Sequence, residues 1–217
     1  MSEAKEKQTQ ETIEDKETQE TPIIFNLPPL DQKESEKTRM AILYGDIDQE
    51  KASELISALY YFRDTGKLSE ETEELTTEVY DPFSLFISTW GGSALDMFAI
   101  YDTMRLIKED CEINTIGMGK VMSAGVLLLA AGTKKQRKIG ANCRVMLHGV
   151  VSGQQGHIQD LENEMEEARW IQKRYIKSLS EETEMSQKYI KKLMDRKINV
   201  YLDAKEAVEL GIADEII

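Results

Sequence analysis

The sequence predicts an α/β protein whose core is a mainly parallel sheet layered with helices. Two patterns carry that expectation. Short apolar runs end abruptly at glycine, aspartate or histidine, as strands buried on both faces do. Between them lie segments whose apolar residues recur every three or four positions, the spacing of one helix face. Strands that alternate with helices pair in parallel, because each helix carries the chain back across the sheet.

The elements follow in order. Met40-Ala41-Ile42-Leu43-Tyr44 is the first apolar run, closed by Gly45-Asp46. Ala52, Leu55, Ile56, Leu59 and Phe62 then recur at helical spacing, and Gly66 is placed to end that helix. Residues 67–80 are polar and acidic and read as a surface excursion. Phe83-Ser84-Leu85-Phe86-Ile87 is a second strand, running into Trp90-Gly91-Gly92. Ser93 and Asp96 have the spacing of a capping pair, and the helix behind them buries Met97, Ile100, Tyr101, Met104 and Ile107. Residues 113–116 form a short third strand before Gly117-Met118-Gly119. Residues 123–131 are almost wholly apolar and too long for most strands, so they read as a buried helix. Arg144-Val145-Met146-Leu147 is a fourth strand, ending at His148. Beyond a glycine-spaced turn at 152–156, Leu161, Met165, Ala168, Ile171, Tyr175 and Leu179 mark the apolar face of a long helix. No internal repeat is present.

Bulk properties narrow the function. The chain has 217 residues, enough to bury a real core, and a formal net charge of −13. That charge argues against nucleic acid as a partner, since phosphate binding needs clustered Lys and Arg. No apolar run reaches the roughly 18 residues of a membrane span. The N-terminus lacks the apolar core of a signal peptide, so the expected location is the cytoplasm. Cys111 and Cys143 have no metal-site spacing and are expected to be free, part-buried thiols; no metal site is expected. Residues 1–21 carry seven acidic and three basic residues among Gln and Thr. Such a stretch buries too little apolar surface to offset its ordering entropy. Residues 1–22 are therefore expected to be a flexible acidic tail, and residues 23–217 the folded domain. Ile23-Ile24-Phe25 reads as a short extended segment docking on the body, broken by Pro28-Pro29.

Three places can carry chemistry. Ser123 stands between a strand and a buried helix, where it is either an N-cap or a nucleophile. His148 stands at the C-terminal end of a strand, where ligands gather in open parallel sheets, although a histidine there can be purely structural. Gly91-Gly92 is either a tight turn or a place where backbone N–H groups approach a ligand, as an oxyanion hole requires. His157, flanked by polar residues at a helix start, is expected to be exposed.

Taken together these blocks resemble the Clp protease proteolytic subunit, ClpP, from about Arg39 to the C-terminus. The resemblance lies in Gly91-Gly92-Ser93 with Ala99-Ile100-Tyr101-Asp102-Thr103-Met104, in Gly117-Met118-Gly119 through Ser123-Ala124-Gly125, and in Arg144-Val145-Met146-Leu147-His148. Gln155-Gly156 with Asp160, and Tyr201-Leu202-Asp203-Ala204 with Glu206-Ala207-Val208 and Gly211, complete it. The resemblance implies a crotonase-like spiral of ββα units with a protruding handle helix after Gly156. It implies Ser123 as nucleophile, His148 as general base, and Gly92 with the N–H of Ala124 as oxyanion donors. It further implies stacked heptameric rings, an AAA+ unfoldase of the Clp type that uses ATP to deliver unfolded polypeptide, and no cofactor in this subunit.

The sequence departs from the family pattern at the third triad position. Counting back from Tyr201-Leu202 that position falls on Asn199; counting forward from the preceding helix it falls on Lys197, just after Asp195-Arg196. Asn199 is preferred, because the distance to the aromatic–leucine pair is short. An asparagine can accept the imidazole N–H but offers no charge to the imidazolium, and Asp-to-Asn replacement costs chymotrypsin-type enzymes about 10⁴ in kcat. Reduced or assembly-dependent activity is expected. Trp90 stands where proline is usual, Ala124 where methionine is common, and residues 67–80 look like an insertion. The rival readings are a catalytically weak or inert Clp-type ring subunit, a ClpP-like capsid-maturation protease, and another crotonase-fold chemistry; the last would need pocket glutamates in place of the Ser–His pair.

Overall fold

The structure, a computed structural model, describes residues 38–217 except 72–75, 154 and 197. The acidic tail, the Ile23–Phe25 segment and Lys197 lie outside the described residues. Strand β1 (Met40–Ile47) leads into helix α1 (Gln49–Thr65), whose N-cap Asp48 accepts the Lys51 N–H and whose C-cap is Gly66. Strands β2 (Lys67–Glu71) and β3 (Thr76–Tyr80) pair antiparallel as a separate two-stranded sheet. The surface excursion read from residues 67–80 is thus a hairpin. Its polar composition hides strand periodicity, although Tyr80 at its end is buried in the core.

Strand β4 (Phe83–Gly92) feeds helix α2 (Ala94–Ile107), capped by Ser93, whose hydroxyl accepts the Asp96 N–H. Strand β5 (Ile113–Met122) feeds helix α3 (Ala124–Ala130). Strands β6 (Lys138–Ile139) and β7 (Arg144–Leu147) precede helix α4 (Ile158–Glu182). Helix α5 (Gln187–Met194), strand β8 (Val200–Leu202), helix α6 (Ala204–Glu209) and strand β9 (Glu215–Ile216) complete the chain. The main sheet runs β1-β4-β5-β6-β9, with β7 pairing β5 and β8. All its ladders are parallel except β7–β8, which is antiparallel. The layered α/β fold with a mostly parallel sheet is as expected; β6, β8 and β9 are two or three residues long and too short to carry a periodic signal.

The third strand does not stop at Ile116 as its apolar run suggests. It continues through Gly117, Met118 and Gly119 to Met122, and it forks there. Its first part pairs β6 at Ile116–Lys138 and Gly117–Ile139; its second part pairs β7 at Lys120–Arg144, Val121–Val145 and Met122–Met146. The glycines serve packing and bending. A Cβ at Gly117 would lie 3.0 Å from Leu129 of α3, and Gly119 has φ +66°. The fork brings β7 beside the end of β5, which decides the site.

α3 is wholly buried and forms the centre of the core, with Leu43, Leu85, Ile87, Met97 and Ile100 around it. Behind it Arg137, 3% exposed, donates from Nε to Asp214 at 2.8 Å and from Nη1 to the carbonyls of Ala130 and Glu182. One guanidinium thereby ties the end of α3, the end of α4 and the C-terminal segment together. In α4 the expected apolar face is buried only at its C-terminal end, at Tyr175 and Leu179. Residues 162–167 are all exposed, Met165 and Trp170 among the large exposed side chains, so the first half of α4 has no covering layer from the described residues.

Candidate functional site

Parallel registry between β5 and β7 sets Met122 beside Met146. Ser123 therefore follows one strand end and His148 the other, and the Ser123 N–H continues the pairing by donating to the Met146 carbonyl at 2.7 Å. The consequence is a contact between side chains 25 residues apart: His148 Nε2 lies 2.8 Å from Ser123 Oγ. A neutral imidazole can accept the hydroxyl proton there, with its own proton on Nδ1.

Ser123 occupies the N-cap position of α3 but caps nothing: its side chain makes no capping hydrogen bond, and its backbone sits at φ 54°, ψ −120°. Of the two readings open from sequence, the simple cap is excluded by this geometry. A non-glycine residue held there costs about 1–3 kcal/mol, and such strain persists only where the surroundings impose it. Here the strand ends at Met122 and the helix begins at Ala124, so one residue makes the whole turn. The turn needs two close approaches. A Cβ at Gly125 would lie 2.3 Å from Thr89 Cγ2, and a Cβ at Gly91 would lie 2.6 Å from Ser123 Cβ. Gly91, φ +99°, is thus the glycine that admits the serine, while Gly92, φ +150°, packs against the Ile47 backbone. Sequence reasoning took the pair as one motif; only the structure separates their tasks.

Ser123, His148, Gly92 and Ala124 all line one cleft of about 450 Å³. Leu95, Met97, Ala168 and Ile171 give it apolar walls, and Trp90, 60% exposed, stands at its rim. Glu164 and Glu167 from α4 add two carboxylates with no basic partner among the described residues. Volume and lining suit side chains of an extended peptide. Ala124 is the first residue of α3, so its N–H has no intrahelical acceptor.

Asn199 does not meet His148 by hydrogen bond. Its Nδ2 lies 3.5 Å from the Tyr201 hydroxyl, and among the described residues no partner stands at His148 Nδ1. The backbone nevertheless brings the two together. β7 and β8 pair at Val145–Leu202, Met146–Tyr201 and Leu147–Val200, so the next step sets Asn199 across from His148. Both line a second cavity of about 560 Å³ with Gln172 and Asp195, and Asp195 is held by Lys191 at 2.6 Å. His157 is exposed at the N-cap of α4, away from this cluster.

Cys111 and Cys143 are free and buried. Burial pushes both thiols up, Cys143 to about 11, so neither offers a thiolate near neutral pH. Among the described residues no group of three or more His, Cys, Asp or Glu side chains could hold a metal ion, and no helix is long and apolar enough to cross a membrane.

The Clp protease family model matches this chain over residues 32–217. The chain belongs to the Clp protease family. It is similar to the ATP-dependent Clp protease proteolytic subunit 1 of Prochlorococcus marinus (strain MIT 9312), with 30% identity over 181 residues, covering 83% of this chain and 85% of that protein. The expected ClpP-type peptidase fold is therefore established, and the cleft described above lies inside the matched region. Sequence reasoning missed one residue of the site. The Tyr175 hydroxyl donates to the Ser123 carbonyl at 3.0 Å. A tyrosine on the apolar face of a helix was the available signal, because a buried phenol needs a hydrogen-bond partner.

Proposed function

We propose that this Clp-family chain is a serine endopeptidase in which Ser123 is the nucleophile, His148 the general base, and the N–H groups of Gly92 and Ala124 the oxyanion donors. The observation that carries the reading is the 2.8 Å contact between Ser123 Oγ and His148 Nε2 at a peptide-sized cleft. His148 takes the hydroxyl proton as Oγ bonds to the peptide carbonyl carbon. The carbonyl electrons move onto oxygen, where the backbone donors hold them; one such donor is typically worth about 10²–10³ in rate. Collapse breaks the C–N bond, and His148 returns its proton to the leaving amine. Water, deprotonated by the same imidazole, then bonds to the acyl carbon; the Oγ–C bond breaks, the acid product leaves, and His148 returns the proton to Ser123 Oγ. No cofactor or metal enters these steps.

Substrates are unfolded polypeptides, delivered inside a ring assembly by an AAA+ unfoldase that hydrolyses ATP. The relative's description as an ATP-dependent proteolytic subunit supports this. The uncovered first half of α4, with Met165 and Trp170 exposed, is the surface through which rings would stack. Location in the cytoplasm fits this role. One observation favours a second reading, a weak or inert ring subunit: Nδ1 of His148 has no partner among the described residues, and an asparagine stands across from it.

Labelling with a fluorophosphonate decides between them. An active nucleophile gives modification at Ser123 that disappears in Ser123→Ala; no labelling of the assembled protein would rule out the active reading. Co-purification with an AAA+ ATPase tests the partner separately, and recovery with capsid protein instead would redirect the assignment.

A further inference from the structure

Among the groups that touch the Ser123 turn, Tyr175 is the one the mechanism does not yet use. We propose that Tyr175 is a positioning residue for the oxyanion hole: its hydroxyl holds the Ser123 carbonyl and thereby aims the Ala124 N–H into the cleft. The inference rests on the serine-peptidase reading above and deepens it.

The argument begins with the peptide plane. The carbonyl of Ser123 and the N–H of Ala124 belong to one rigid unit and point in opposite directions. Fixing the carbonyl oxygen therefore fixes the direction of the N–H. Ser123 sits at φ 54°, ψ −120°, where a serine gains nothing from its own conformational preference. Left to local forces, this plane would rotate toward a relaxed backbone and carry the donor away from the cleft. Two hydrogen bonds to the carbonyl oppose that rotation: the Val126 N–H at 3.1 Å and the Tyr175 hydroxyl at 3.0 Å. The first lies within the turn itself and moves with it. The second arrives from α4, 52 residues away, and anchors the plane to an independent element.

Tyr175 is built for that task. It is 7% exposed, yet it lines the cleft beside Ser123 and Ala124. Burial pushes its phenol well above the usual range, so it remains a donor at any pH where the protein works. Its effect is confined to geometry, and geometry felt only once the oxyanion forms lowers kcat while leaving KM in place.

Tyr175→Phe removes the hydroxyl and keeps the ring. Its kcat for a short fluorogenic peptide should fall about tenfold, less than outright loss of an oxyanion donor costs, with KM within about twofold and the acid limb of the pH–rate profile unmoved. Fluorophosphonate labelling at Ser123 should slow in parallel. Ile176→Val, on the same turn of α4, controls for a general loss of stability; both variants are compared at matched assembly state. Equal kcat losses in the two variants, a rise in KM with kcat intact, or a shifted acid limb would each overturn the inference. Wild-type protein that fails to label overturns the peptidase reading and this inference with it, whereas wild type and Tyr175→Phe labelling at the same rate overturns this inference alone.

Discussion

Gly91→Ala tests how tightly the site is built. Gly91 is buried at φ +99°, and its N–H donates to Thr89 Oγ1 at 2.9 Å. An alanine Cβ there would stand 2.6 Å from Ser123 Cβ, 2.9 Å from the Met122 carbonyl oxygen and 3.1 Å from the Ala124 nitrogen. Ordinary contact begins near 3.4 Å, so Ser123 must retreat by about 0.8 Å. A displacement of about 1 Å at reacting atoms costs about 10² in rate. The positive φ adds a backbone cost of about 1–2 kcal/mol. For a domain of this size that lowers Tm by roughly 2–8 °C. Gly45→Ala separates the two effects. Gly45 has φ +91°, yet its added Cβ meets nothing within 4 Å. By scanning calorimetry at fixed protein concentration Gly45→Ala should show the loss due to positive φ alone and Gly91→Ala that loss plus an overpacking cost of about 1–3 kcal/mol, while only Gly91→Ala loses peptidase turnover and Ser123 labelling. The reasoning is refuted if Gly91→Ala keeps more than half its activity, or if Gly45→Ala loses as much.

Three further outcomes are expected. Asn199→Asp places a charge across from His148 and should raise kcat at least about tenfold, a small part of the roughly 10⁴ that the Asp-to-Asn change costs elsewhere; no gain in the intact assembly would remove Asn199 from the role, and loss of labelling in Asp195→Asn would transfer it to Asp195. Asp214→Asn strands the buried Arg137 guanidinium and should destabilise the fold by about 3 kcal/mol in chemical denaturation. Burial acts to raise the Asp214 carboxyl, but the Arg137 hydrogen bonds and charge outweigh it and hold it below the ordinary value. Its contribution is thus complete above about pH 4 and lost as pH falls through the lower folded value, so the variant's stability should vary less across that acid range. Neutralising Glu164 and Glu167 to Gln should cut cleavage beside Lys or Arg about thirtyfold relative to neutral peptides, at about 1 kcal/mol for each of the two charge pairs lost; selectivity that survives in low salt would show that the carboxylates do not face the substrate.

Much of this molecule is legible in order along the chain. Helix and strand periodicity are local properties, so β1, β4, β7 and α1 to α4 are readable from residues 40–182, and the family blocks mark Ser123, His148 and Gly92. What stayed hidden depends on registry. The hairpin at 67–80 is too polar in sequence to print a strand pattern. β8 is three residues long, and its antiparallel pairing with β7 sets Asn199 across from His148. Lys197, the other position considered, lies outside the described residues. The apolar face of α4 reads the same along its length, although among the described residues only its C-terminal end is buried.

The sequence by itself determined the layered α/β class and the order of the main elements, because periodicity encodes these directly, while the resemblance to a family singled out Ser123, His148 and Gly92 as candidates. Tertiary structure alone decided that Ser123 caps nothing, that Gly91 rather than Gly92 makes room for it, and that Tyr175 grips its carbonyl. Each of these is a contact between segments far apart in the chain, set by the fork in β5 and the seating of α4. Periodicity along a chain does not record which distant atoms a fold brings within three ångströms of each other.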